Sequence, residues 1–366
     1  MMRARRLFTA LLFIVMLAAG CSQQPHQSRD VPDEKEVKSE QTNKKDMSAD
    51  KAAAKDAVPL SDAEFFSAED WADESSIYYL SENASQSTIY QYNLFTGEKT
   101  AFFESKASIV QVTINREAGL LAVHSSPSSY EASITILDQS GNIRTERSFP
   151  STELNLSWSP SGEKLFITAF DENWSFETFL LSMSDYSLEK NPVELPFIQW
   201  LTDDEITYLK WNEAEPQLTA PLAAYSLQTK EERILDERII SHAHFGEYTF
   251  SIKVENEEES TGTYLFFKNE ELLYSFNVPL TPLYSEWLIP EYDTAKGVFY
   301  TFIPGDTEGK FDLTAVDPEK ETMSTIIENV DNSPISLSPD GEYALYGSYR
   351  EKLIHLKDGE IKSIVK

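Results

Sequence analysis

The chain has 366 residues, of which 41% are apolar and 12% aromatic, enough for one large all-β domain or two ordinary ones. Its formal charge is −30, a balance that disfavours nucleic acid and anionic surfaces as partners. With Cys21 as the only cysteine, neither an intrachain disulfide nor a cysteine metal cluster can form.

Arg3, Arg5 and Arg6 precede an apolar run from Leu7 to Ala19, which reads as the charged and hydrophobic regions of an export signal over residues 1–20. The run is too short to span a bilayer comfortably. It ends Leu17-Ala18-Ala19-Gly20-Cys21, which resembles the lipobox of bacterial lipoproteins. That resemblance implies that Cys21 is lipidated and becomes the mature N-terminus, placing the protein at the bacterial cell membrane on its extracytoplasmic face. Two acyl chains give stable attachment where one is marginal. Arg5-Arg6-Leu7-Phe8 lacks the Ser and Lys of a twin-arginine signal, so Sec export is expected.

Residues 21–60 are rich in Gln, Ser, Asp, Glu, Lys and Ala, and no aromatic lies between Phe13 and Phe65. Such a segment cannot bury enough apolar surface to offset the entropy of ordering, so a disordered polar tether is expected. From Ser22 to Leu60 it would span about 35 Å root-mean-square as a flexible coil.

Residues 61–366 carry a net −32 and repeat one pattern. Leu154, Leu156 and Trp158 alternate into the turn Ser159-Pro160-Ser161-Gly162, and Leu165, Ile167 and Ala169 alternate out of it. The same unit returns at Ile335–Tyr346 around Ser338-Pro339-Asp340-Gly341. First turns of successive units fall near Asp73, Arg116, Pro160, Asp203, Gly246, Ala295 and Pro339; second turns fall near Thr96, Ser140, Asp185, Gln228, Asn269, Asp317 and Asp358. The spacing, in the low to upper forties, predicts an all-β propeller of four-stranded antiparallel blades, with seven units counted.

The Trp158-Ser159-Pro160 and Leu337–Gly341 units resemble the W-S-P-D-G repeat of TolB-type propellers. Lipobox, polar tether and degenerate propeller together resemble the YqgU-like bacterial lipoproteins. That family is associated with six blades, so the resemblance leaves the count open between six and seven.

No G-x-S-x-G, phosphate-binding glycine loop or D-x-D-x-D-G calcium loop occurs. His242-Ala243-His244 puts two imidazoles on one strand face without an obvious third ligand, so no metal and no cofactor is expected. Acidic groups accompany aromatics in the connections between second and third strands, which a propeller gathers on one face. Tyr130, Asp171, Glu172, Trp174, Trp211, Glu213, Glu215 and Tyr349 therefore form the candidate binding surface. Each ring could instead fold back on its own blade.

The reading is a membrane-anchored binding or scaffolding module without catalytic residues, its partner an envelope protein or carbohydrate. The alternative is a propeller hydrolase or lyase acting on an envelope carbohydrate or lactone, which requires convergent, partly buried carboxylates or histidines at the channel mouth. An envelope-assembly factor is a third reading.

Overall fold

The computed structural model describes residues 56–211, 217–255, 261–280 and 290–366. Cys21, the signal segment and nearly all of the tether lie outside them. Among the described residues there are 27 strands, and every sheet is ordered by sequence with antiparallel neighbours.

Five sheets are four-stranded: β1 (Phe65–Trp71) to β4 (Lys99–Ser105), β5 (Ser108–Asn115) to β8 (Ile143–Phe149), β9 (Glu153–Trp158) to β12 (Leu188–Lys190), β20 (Glu291–Asp293) to β23 (Thr322–Val330), and β24 (Ile335–Leu337) to β27 (Glu360–Ser363). The sixth has seven strands, from β13 (Gln199–Trp200) to β19 (Glu271–Pro279). Within it β16 (Glu232–Phe245) serves twice. Its first half pairs with β15 (Ala220–Ser226), and from Ile239 onward it pairs with β17 (Tyr248–Lys253). The change of partner follows Arg238, a non-glycine at φ 61° beside register shifts. Six continuous sheets thus contain seven four-strand units, and both turn series read from the sequence coincide with hairpin connections.

Burial follows position in the unit. The second strand of the first unit, Ser76–Glu82, is buried at all but its last residue, whereas β12 is exposed throughout. Strands covered on both faces favour continuous apolar runs such as Leu165-Phe166-Ile167. The core lies between units: one buried cluster joins Ile77 and Tyr79 of the first unit to Tyr343 and Leu345 of the last, and another joins Ile134 and Ile136 of the second to Leu165 and Ile167 of the third.

Polar latches cross the same seams. Trp71, Trp158 and Trp200 each end the first strand of a unit and donate the indole N–H to the first strand of the preceding unit, to Ser336 O (2.8 Å), Thr113 Oγ1 (3.1 Å) and Ser157 O (3.0 Å). The Ser-Pro-x-Gly turns fill equivalent seams. In both, the serine Oγ accepts the backbone N–H five residues on, from Lys164 at 3.0 Å and from Tyr343 at 2.9 Å. Gly341 has φ 65°, and a Cβ there would lie 1.9 Å from Asp293 Oδ2 of the preceding unit.

Among the described residues, no named strand of the first unit joins the sheet of the last. Ala68 N–H donates to Tyr349 O (2.9 Å), Ser336 Oγ donates to Asp70 Oδ1 (2.6 Å), and the Arg350 guanidinium reaches Glu69 O. Leu60 forms a parallel bridge with Val365, and Val58 N–H donates to Leu94 O, so the lead-in segment spans the seam between first and last units.

Gly341→Ala should therefore destabilise the protein by about 1–3 kcal/mol more than Gly309→Ala. Gly309 also has positive φ, at 71°, but nothing lies within 4 Å of the position its Cβ would take. Urea unfolding of the two variants separates the seam clash from backbone strain; equal losses would mean the seam is loosely packed.

Candidate functional site

The first strands β1, β5, β20 and β24 contribute walls to a cavity of about 530 Å³. Its charged groups are Glu69 and Asp70 at the end of β1, Arg116 after β5, Glu291 and Asp293 on β20, and Arg350 in the connection after the second strand of the last unit. Asp70 Oδ1 accepts from Arg116 Nη2 at 2.5 Å and from the Ser336 hydroxyl. Ser67 Oγ donates to Glu69.

Glu291 differs from the others. Its carboxylate makes no hydrogen bond or ion pair with a described residue, and part of its surface opens onto the cavity. Enclosure by protein is the largest effect on its acidity; Asp70 adds to it, Arg350 and Arg116 oppose it, and the group is pushed up to about 7. Burial also raises Glu69, against the Ser67 hydrogen bond and the Arg350 charge.

A second cavity, of about 470 Å³, is lined by Leu156, Trp158, Phe197, Tyr208, Trp211 and His242. The two meet where Trp158, on its wall, donates to Thr113, on the wall of the first. The first-strand ring therefore has a charged part and an aromatic part.

Four rings of the candidate surface, Tyr130, Trp174, Trp211 and Tyr349, are exposed. Trp211 and Phe197 line the second cavity together, and Trp174 joins them through Phe170, which it meets edge-on at 5.7 Å and which stacks on Phe197 at 5.4 Å. Tyr349 packs instead against Phe66 at 6.2 Å, beside the closing seam. Asp171 caps its own loop: Oδ1 accepts from the Asn173 and Ser175 N–H groups and Oδ2 from the Ser175 hydroxyl, which holds its carboxyl below the usual range. Glu172 is exposed, and Glu213 and Glu215 lie outside the described residues.

The histidine pair, His242 buried and His244 half-buried, gathers around one hydroxyl. Thr207 Oγ1 lies 3.0 Å from His242 Nε2 and 2.7 Å from His244 Nε2, and His244 Nδ1 meets Thr249 Oγ1 at 2.9 Å. Burial lowers His242 to about 3, with the neighbouring His244 contributing, and lowers His244 to about 4. Among the described residues no group of three His, Cys, Asp or Glu is arranged to hold a metal ion.

Sequence reasoning missed Glu69, Asp70, Arg116, Glu291 and Arg350 as a group, and Phe197. Phe197 lies in the connection between units, and the charged groups converge only when the first and last units meet.

Residues 93–347 match the YqgU-like 6-bladed beta propeller domain. The chain belongs to that family. A Bacillus subtilis (strain 168) relative, the lipoprotein YqgU, is 29% identical over 327 residues, covering 88% of this chain and 90% of its own. An uncharacterised protein of Listeria monocytogenes EGD-e has a similar fold, with a TM-score of 0.75 and 22% identity over 85% of this chain and 98% of its own. The β-propeller domain of the trilobed protease from Pyrococcus furiosus, with an open velcro topology, has a TM-score of 0.55 and 15% identity, over 82% of this chain and 98% of its own. The lipoprotein relative agrees with the lipobox-like segment ending at Cys21, and this YqgU-like propeller is placed at the membrane surface on the extracytoplasmic side.

A carboxyl whose acidity is weakened on folding binds more protons in the folded state. Its contribution to stability therefore falls as pH rises from its unfolded value, near 4.5, through about 7. Glu291→Gln should leave stability at pH 4 nearly unchanged and raise it at pH 8, by at most about 3 kcal/mol. Denaturant unfolding at the two pH values checks this, and an equal effect at both would place Glu291 in an ordinary aqueous environment.

Proposed function

We propose that the protein is a lipid-anchored extracytoplasmic binding module, held to the membrane through Cys21, that takes a polyhydroxylated envelope ligand on its aromatic surface. The observation that carries this reading is the pair Trp211 and Phe197, both exposed and both lining the cavity that Trp158 and Tyr208 wall. Flat rings at the mouth of a partly apolar cavity can stack on the C–H faces of a sugar, while Gln199 and Asn155 on the same wall supply polar contacts. The acidic loops around Trp174, with Asp171 and Glu172, disfavour an anionic polymer. The repeat is read as TolB-type on its two Ser-Pro-x-Gly turns, which share cap and register.

The alternative, a hydrolase or lyase acting on an envelope carbohydrate or lactone, draws on Glu291, a carboxyl poised near neutrality beside the Arg-paired Asp70. Turnover of cell-wall glycan that disappears in Glu291→Gln while ligand binding persists would favour it.

For the binding reading, Trp211→Ala and Trp174→Ala should each weaken binding of uncharged cell-wall glycan fragments by about 2 kcal/mol or more. Their unfolding midpoints should stay close to that of the parent protein. Both quantities are measured on the same full-length variants in detergent. Lowered midpoints with unchanged affinity in the folded fraction would reassign these rings to blade packing.

A further inference from the structure

The charged cavity has one carboxylate with no hydrogen bond or ion pair to a described residue. Asp70 is matched by Arg116 at 2.5 Å, and Glu69 accepts a hydrogen bond from the Ser67 hydroxyl. Asp293 is almost wholly buried. Its Oδ1 accepts the N–H groups of Ala295 (2.9 Å) and Lys296 (3.1 Å), and its Oδ2 lies 3.7 Å from Lys296 Nζ. Glu291 faces these groups from β20 with no hydrogen bond or ion pair to a described residue. When all are ionised, the four carboxylates and two guanidiniums on the wall leave an excess negative charge, which Lys296 beside Asp293 offsets only in part.

We propose that this cavity is a binding site for a small organic cation, a primary ammonium group that takes Glu291 as its counter-ion. The site is separate from the aromatic one and does not depend on it. An ammonium group carries three N–H donors. Glu291 takes one, and Gln111 and Thr294 on the same wall offer oxygen acceptors for the others. About 530 Å³ is ample for a cation of several carbons. Anions are disfavoured because both guanidiniums are already engaged, Arg116 by Asp70 and Arg350 by the Glu69 main chain. A divalent metal is disfavoured by those same two positive groups and by the lack of a three-ligand cluster among the described residues.

Binding of such a cation competes with the proton on Glu291. The groups that set this competition are Asp70 and Glu69 on β1, Arg116 after β5, Asp293 on β20 itself, and Arg350 from the last unit. As Glu291 ionises through about 7, the ammonium should bind more tightly.

Equilibrium dialysis of the full-length protein in detergent against butylamine tests this, with butanol and butyrate as neutral and anionic probes of the same length. Butylamine stays protonated at both pH 6 and pH 8, so any change belongs to the protein. Its affinity should rise about tenfold from pH 6 to pH 8, in proportion to the ionised fraction of a group titrating near 7. Butanol and butyrate should bind at least about tenfold more weakly. Glu291→Gln should abolish butylamine binding, while Trp211→Ala should leave it unchanged. Absent binding at pH 8, equal binding of butanol, or equal binding by Glu291→Gln would overturn the proposal. The pH dependence and the butanol comparison use the unaltered protein, so they decide the matter even if the variant folds poorly.

Discussion

The propeller depends on contacts between consecutive units, and the most regular is an indole N–H passed to the preceding unit. Trp71, Trp158 and Trp200 occupy the same place, the last residue of a unit's first strand, and each donates across the seam. Each such bond adds about 1 kcal/mol net, and burial of the indole contributes several times more. In two of the units that lack the tryptophan, a polar residue takes its place. Asn115 ends β5 and donates to Ser159 O of the following turn at 3.1 Å, and Asp293 ends β20 against Gly341.

This arrangement determines what the channel contains. Joining the first and last units brings Glu69 and Asp70 to Arg350 and Ser336, and places Glu291 across from them, although Asp70 and Ser336 are 266 residues apart in sequence. On the opposite arc Trp158 is both a latch and a cavity wall. Seam packing and cavity lining therefore share residues there, while Trp174 and Trp211 lie farther out, where they can be changed with less effect on the seams. Most other exposed large apolar side chains, including Ile143, Leu188, Leu272, Met323 and Ile361, lie near the starts of outer strands, so the aromatic group around Trp211 is set apart by position.

Much of the fold was legible because hairpin turns use local chemistry. Gly162 and Gly341 at positive φ, and carboxylates such as Asp73 and Asp138 that accept their own loop's N–H groups, mark connections within four or five residues. The continuous β16 was not legible, because its partner change follows Arg238, a residue type that gives no warning of positive φ. Loop position alone identified Trp174, Trp211, Tyr130 and Tyr349 as exposed rings. No local pattern distinguishes Glu291 from the other acidic residues, because its character comes from units brought together by ring closure.

A closed propeller requires the first-to-last seam to hold as firmly as the seams between consecutive units. Native-state hydrogen exchange of the indole N–H groups, followed by nitrogen-resolved NMR, tests it directly. In a closed ring the Trp71 indole, donating to Ser336, opens with the same free energy as that of Trp200, donating to Ser157. Exchange at Trp71 through a much smaller opening free energy would show that the seam parts on its own, contradicting a closed propeller.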